Sequence, residues 1–270
     1  KGASKGEGLG NEFLGHIREC DLIIHVLRCF ENSDIIHVEN SVDPLRDYED
    51  ICLELQLADL NKFENILINK KKSAKDKQMA EEAKKIILNN ELLSKHQWEQ
   101  DYISFFNLEG ILTHKPMIVV ANMQIASDEA LYEKVKHLNP VKIFAEDEIL
   151  LQGASEEEVM ELKDMINIDK SNIDQLVKFA YEKLNLITFF TTGEKETRAW
   201  RIQKGYTMQQ CAGCIHTDFF SSFISAQVVN YEDFVQYKTW ANVQQAGKIQ
   251  LCSKEYIAQD GQICIFKTFK

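Results

Sequence analysis

No stretch of the chain approaches the run of about eighteen apolar residues that spans a membrane, and no charged-then-apolar leader opens it. Both absences point to a cytoplasmic protein with no membrane partner. A disulfide framework is missing as well: seven cysteines, an odd number scattered over 270 residues, suit a reducing compartment. There is no internal repeat and no low-complexity segment. Several catalytic signatures are also lacking, among them a serine-nucleophile elbow, a zinc-protease helix and a dinucleotide fingerprint. The phosphate-binding string Gly-x-x-x-x-Gly-Lys-Ser/Thr does not occur. The one Gly-Lys pair, Gly247-Lys248, is followed by Ile249 and falls near the end of the chain.

What is present is ample apolar content, 44% of residues, beside 27% charged residues, enough for a substantial core and for two domains. The net charge of −11 argues against wholesale attraction to nucleic acid, DNA included. That charge is uneven. Residues 186–270 hold nine Lys and Arg against seven Asp and Glu, a balance of +2 that leaves −13 for residues 1–185. The last third reads as a separate, weakly basic module able to touch a polyanion.

The chain opens on a glycine-rich run, Lys1 to Gly10, whose flexible backbone can approach a ligand closely, and Asn11 is placed to cap the helix that follows. Phe13, Leu14 and Ile17 share one face of that helix. The apolar run from Asp21 to Leu27 then predicts a strand buried on both faces, with His25 as a hydrogen-bonded core histidine. Beyond it Ile35-Ile36-His37-Val38 lies in a loop past a strand's carboxyl end, where α/β proteins place their chemistry. His37 is therefore the better catalytic candidate.

Pro44 starts a long helix, with Tyr48, Ile51, Leu55 and Ala58 at helical spacing and acidic residues in its first turn. Lys70-Lys71-Lys72-Ser73 breaks it. Met79, Ala83, Ile86 and Ile87 predict a return helix, making a hairpin whose basic tip is either solvated or able to reach RNA phosphates. Trp98, Tyr102, Phe105 and Phe106 recur at helical spacing and read as core packing, expected to seat the base of the hairpin on the first domain. Two further buried strands follow, Met117–Ala121 running into Asn122, and Val141–Ala145. Asn122 presents an amide, donor and acceptor together, at the edge of the sheet. Helices are expected from about Ser155 and across Ile173 to Leu184, which makes the first domain α/β with a mainly parallel sheet.

From Leu186 short strand-like runs take over: Thr188–Thr192, Arg198–Ile202, Ala226–Val229 and Gln262–Lys267, the last after a hairpin-type turn at Asp260-Gly261. With short helices covering one face, they predict a small α+β domain. Within it, Cys211-Ala212-Gly213-Cys214-Ile215-His216 has the spacing of half a zinc site. No second Cys-x-x-Cys exists at Cys252 or Cys264, so no metal site is expected.

Taken together, the run from Lys1 to Leu14, then His16-Ile17-Arg18-Glu19, His25-Val26, Arg28-Cys29-Phe30, Ser41-Val42-Asp43-Pro44 and Glu54–Leu60, resembles the Obg-like ATPases of the YchF branch. So do Arg198-Ala199-Trp200, Ile215–Phe219 and Tyr231-Glu232-Asp233-Phe234. The resemblance implies a P-loop ATPase of the translation-factor class: a G domain in residues 1–43 and 106–185, a helical hairpin inserted at 44–105, and a TGS domain at 186–270. It implies ATP with Mg²⁺ as ligand, ATP hydrolysed in preference to GTP, and the ribosome or its RNA as partner. It makes the glycine run, Gly2, Gly6, Gly8 and Gly10, the switch loop, and His37 the residue that acts in hydrolysis. Asn122 and the Met123 backbone would read the base, with Ala145 in the last base-contacting loop. Ile125 stands where the family carries a Glu, so the choice between ATP and GTP is open there. The family's phosphate-binding loop and Mg²⁺ ligands are expected upstream of Lys1, so these 270 residues alone are not expected to turn over ATP. The rival expectation is a non-catalytic module that binds ribosome, RNA or protein.

Overall fold

The computed structural model describes residues 8–124, 129–146, 149, 172–193 and 196–269. The chain forms two compact units, Lys1–Ala180 and Tyr181–Lys270.

In the first unit, helix α1 (Gly8–Glu19) buries Leu14 against Leu55, Ala58 and Leu112. Its backbone begins at Gly8, so Asn11 lies inside the helix and does not cap it. Strands β1 (Ile23–Arg28), β2 (Met117–Asn122) and β3 (Val141–Ile143) make a parallel sheet in the order β1-β2-β3. Ile24 and Val26 are 45% and 54% exposed, so β1 is not buried on both faces as its apolar run predicts. Its odd-numbered residues Ile23 and Leu27 pack into cores, whereas its even-numbered ones face away from them. Composition reports apolar content, not what covers it.

Helix α2 (Pro44–Ile68) begins as its sequence demands: Pro44 sits in the first turn and the Asp43 carboxylate accepts from the Leu45 and Arg46 amides. Helix α3 (Ala74–Leu88) returns from it, with a capping box between Ser73 and Asp76. At the tip, Lys72 is tied to Glu109, while Lys70 and Lys71 are exposed.

Helix α4 (Gln100–Glu109) puts the aromatic residues in a core, as expected, but in a different one from that expected. Phe105 and Phe106 join Phe63, Ile66, Met79, Ala83 and Ile87 in one core, with Trp98 and Tyr102 at its side. They close the hairpin into a three-helix bundle with its own interior and do not seat it on the sheet. The T-shaped Trp98–Phe106 pair, 5.0 Å between ring centres, lies there. Helix α5 (Glu129–Val135) packs Leu131 and Val135 against Leu27 and Ala121, and α6 (Asn172–Lys183) spans the division between the units. The helix expected from Ser155 lies outside the described residues.

The second unit is a five-stranded mixed sheet in the order β5-β4-β8-β6-β7, built from β4 (Leu186–Thr192), β5 (Thr197–Gln203), β6 (Phe223–Val229), β7 (Gln250–Cys252) and β8 (Ile263–Thr268). β4 and β8 run parallel and the other pairs antiparallel. Asp260-Gly261 is therefore not a hairpin turn. β7 pairs with β6, and the turn instead guides the chain into β8, with the Gly261 amide donating to Thr188 O and Asp260 accepting from the Thr188 amide. Gly261 takes φ +77°, which glycine adopts without strain. Helices cover both faces, not one. On one side α7 (Met208–Ile215) packs Met208 and Cys211 on Phe189 and Ile202. On the other α9 (Tyr231–Tyr237) and α10 (Trp240–Gln245) pack on Phe190 and Ile263, and the short α8 (Thr217–Ser221) follows α7.

Candidate functional site

The three parallel strands end together. The Cys29 amide donates to Asn122 O at 2.8 Å and the Met123 amide to Ile143 O at 2.8 Å, so the carboxyl ends of β1, β2 and β3 are laced into one edge. Asn122 Oδ1 accepts from the Ala145 amide at 3.4 Å. Asn122, Met123 and Ala145, three residues read from sequence as base-contacting, thus form one hydrogen-bonded corner. Gln124 Nε2 closes it by donating to Glu146 at 3.2 Å.

At the end of β1, Arg28 organises the next loop. Its guanidinium donates to Phe30 O at 3.1 Å, Ile35 O at 3.0 Å and Asn32 O at 3.0 Å, and lies 4.8 Å over the Phe30 ring. A loop has no ladder to satisfy its carbonyls, and a five-donor fork supplies three of the missing partners at once. Arg28, Asn32, Ser33, Ile35 and His37 line an open cavity of about 450 Å³ here.

His37 stands on this loop with its ring 17% exposed. Its Nδ1 accepts from the Glu39 amide at 3.2 Å, so that nitrogen is unprotonated and the proton sits on Nε2, which faces Asp47 Oδ2 at 3.0 Å. Asp47 belongs to the first turn of α2. Its other oxygen, Oδ1, accepts from Arg46 Nε and Nη2 at 3.3 and 3.1 Å, and Arg46 in turn donates to Ser41 Oγ and O. Asp43, one turn earlier, accepts from Lys134 at 3.0 Å, and that contact leads the causes that lower its pKa. The start of α2, the His37 loop and α5 are thereby joined by charge-assisted hydrogen bonds.

His25 is a core residue, as expected, but not a fully hydrogen-bonded one. Its ring stacks on Tyr48 at 5.5 Å, its Nδ1 is buried without a partner, and burial pushes its pKa down to about 4 against a smaller opposing pull from Asp47. Gly8 and Gly10 open α1, whereas Gly2 and Gly6 lie outside the described residues, as does Ile125. The Cys-x-x-Cys segment is divided by its helix: Cys211 is buried, Cys214 is exposed, and His216 accepts the Asp218 amide as the cap of α8. Among the described residues no three His, Cys, Asp or Glu side chains converge to hold a metal ion, and no helix is long and apolar enough to cross a membrane.

Sequence reasoning missed Arg28, Arg46 and Asp47. The acidic first turn of α2 was visible, but acids there are expected from the helix dipole alone, so the pattern did not single out Asp47.

The family model YchF-GTPase_C, described as a protein of unknown function, matches residues 186–269. The Ribosome-binding ATPase YchF of Pasteurella multocida (strain Pm70) is 38% identical over 286 residues, covering 98% of this chain and 78% of that relative. The Ribosome-binding ATPase YchF of Bacillus subtilis (strain 168) is 38% identical over 291 residues, with 99% and 78% covered. Among solved structures, the Schizosaccharomyces pombe YchF GTPase matches with a TM-score of 0.80 and 31% identity, over 97% of this chain and 76% of that one. On these grounds the chain belongs to the YchF family.

Proposed function

We propose that the protein binds and hydrolyses a purine nucleoside triphosphate, ATP before GTP, and associates with the ribosome in the cytoplasm. The observation that carries this reading is the shared carboxyl edge of the parallel sheet, which presents His37 on one loop and the Asn122–Ala145 corner on two others. The relatives named above as ribosome-binding ATPases supply the partner and the nucleotide.

The corner suits a purine. Asn122 Oδ1 is engaged by the Ala145 amide, which leaves its amino group to donate to a ring nitrogen or carbonyl oxygen. The Met123 amide already donates to Ile143, so any backbone contact from Met123 to the base falls to its carbonyl. An acceptor in that place favours the exocyclic amino group of adenine. His37 acts on the phosphate side, where phosphoryl transfer needs placement and charge stabilisation more than covalent chemistry. Its ring, with the proton on Nε2, can donate to a water or to a γ-phosphate oxygen once Nε2 leaves Asp47. Mg²⁺, when bound, neutralises phosphate charge, but the described residues do not converge on a ligand set for it and no step here is assigned to it.

In this reading residues 1–43 and 106–185 act as a G domain whose glycine run is the switch loop. Residues 44–105 act as the hairpin insertion, and 186–270 as a TGS domain that with the hairpin faces ribosomal RNA. The 270 residues alone do not turn over ATP in this reading, because the phosphate-binding string is absent from their sequence. That same absence favours the second reading, a non-catalytic module that binds ribosome, RNA or protein. Titrating the full-length protein with ATP and GTP and measuring hydrolysis of each, beside the 270-residue chain, separates the two. Hydrolysis by the full-length protein with ATP favoured supports the first reading, and binding without turnover by either protein supports the second.

A further inference from the structure

His37 has no ring nitrogen free. Nδ1 holds the Glu39 amide and Nε2 holds Asp47, the latter from a different element, the first turn of α2. Ile36 and Val38 on either side are 90% and 93% exposed, so apolar packing does not fix this part of the loop. The fixed points are polar: Arg28 on the carbonyls of residues 30–35, Arg46 on Ser41, and Asp47 on His37. A histidine that donates its one proton to a carboxylate cannot also donate it to a water or a phosphate. Its engagement with the nucleotide therefore requires that the Asp47 contact be given up.

We propose that Asp47 is a positioning residue that stores His37 away from the reacting phosphates, so that release of this one contact sets how often the histidine is available. The inference rests on the hydrolytic role proposed for His37. Arg46 supports the stored state, since its two bonds to Asp47 Oδ1 orient the carboxylate with Oδ2 toward the ring. Asp47 acts only through His37 and is given no contact with substrate.

The test is steady-state ATP hydrolysis by the full-length protein carrying Asp47→Ala, Asp47→Asn, His37→Ala, or Asp47→Ala with His37→Ala. Asp47→Ala is expected to raise kcat by about three- to tenfold at unchanged KM, the scale of one charge-assisted hydrogen bond removed from the resting state. Asp47→Asn, whose one amide oxygen can accept the Nε2 proton but leaves the Arg46 donors without an acceptor, is expected to fall between the wild type and Asp47→Ala. A kcat for Asp47→Asn above that of Asp47→Ala overturns the proposal. The double variant is expected to fall to the level of His37→Ala. A kcat for Asp47→Ala equal to or below wild type overturns the proposal, and so does a gain that survives loss of His37. If circular dichroism shows that Asp47→Ala does not fold, Arg46→Ala takes its place, with a smaller rise expected and a flat or lower kcat overturning the storage role. Full turnover by His37→Ala overturns the hydrolytic role and the storage role with it. An inactive His37→Ala beside a flat Asp47→Ala overturns storage alone.

Discussion

The two units solve burial differently. Among the described residues, the first buries Gln56, Asp59, Glu109, Thr113 and Lys115 beside its apolar core, whereas the second buries a single such residue, Gln262, and packs Cys211, Cys252 and Cys264 with Phe189 and Met208. The reason lies in the backbone. The strands of the second unit pair with one another in a single sheet. In the first, the chain runs irregularly from Gly110 to Pro116 between a helical bundle and a sheet, and its peptide groups need partners from side chains. Asp59 supplies them, accepting from the Leu112 amide, the Thr113 amide and Thr113 Oγ1 at 2.7–3.0 Å. Lys115 does the same for the end of α1, donating to Arg18 O and Cys20 O. Buried charge here replaces a missing ladder, which makes the first unit the one sensitive to single polar substitutions and to pH.

Asp59→Ala should show this most strongly. It strands three buried donors and should cost about 3 kcal/mol or more, read as an earlier urea transition of the first unit with that of the second unmoved. Equal loss in both units would break the comparison.

His25 gives the next largest effect. Its folded pKa is depressed from 6.5 to about 4, so the stability it contributes is present above pH 6.5 and is lost as pH falls through 4. Asp59 has the opposite sign. Burial raises its pKa to about 6 against the pull of the Thr113 and Leu112 donors, so its contribution is greatest below 3.8 and is lost as pH rises through 6. The two slopes oppose each other between pH 4 and 6. His25→Leu removes one of them, and unfolding measured across that window should then show the first unit gaining stability on acidification, by at most about 3 kcal/mol relative to wild type. A slope identical to wild type would contradict the assignment.

Smaller effects belong to the second unit. Cys264→Ser buries a hydroxyl among apolar neighbours and should cost about 1–2 kcal/mol. Burial raises the Cys211 thiol to about 12 and the Cys264 thiol higher still. Thiol labelling of the folded protein should therefore stop at the exposed Cys20 and Cys214. Rapid modification of Cys264 would show that the sulfur core opens. Smallest of all, Trp240→Phe removes a buried indole N–H that has no partner and should change stability by less than about 1 kcal/mol. The same change at Trp200, whose Nε1 donates to Thr191 at 2.9 Å, should cost more.

Much of the architecture was legible wherever one local signal dominated. Pro44 and the apolar spacing through Ala58 marked the start and course of α2, and the break at residues 70–73 marked the turn into α3. The runs that became β1 and β2 were equally plain. Asn122 could be placed at the carboxyl end of a strand from its own sequence, whereas Met123 and Ala145 were joined to it by the family resemblance alone. What stayed hidden depends on distant partners. Asp59 sits on a helix rich in acids, and nothing nearby marks it as 1% exposed. β7 is three residues long and half exposed, and takes its identity from pairing with β6. The aromatic residues of α4 are as apolar as a domain interface would be, so only contacts could assign them to the bundle. Asp47 looked like a dipole acid until His37, ten residues away, was placed against it.

The most direct test of the function drawn from this edge of the sheet is ATP hydrolysis by the full-length protein with His37 replaced by Ala, measured together with ATP affinity. Turnover should vanish while binding is retained. Unchanged turnover would contradict the role given to His37.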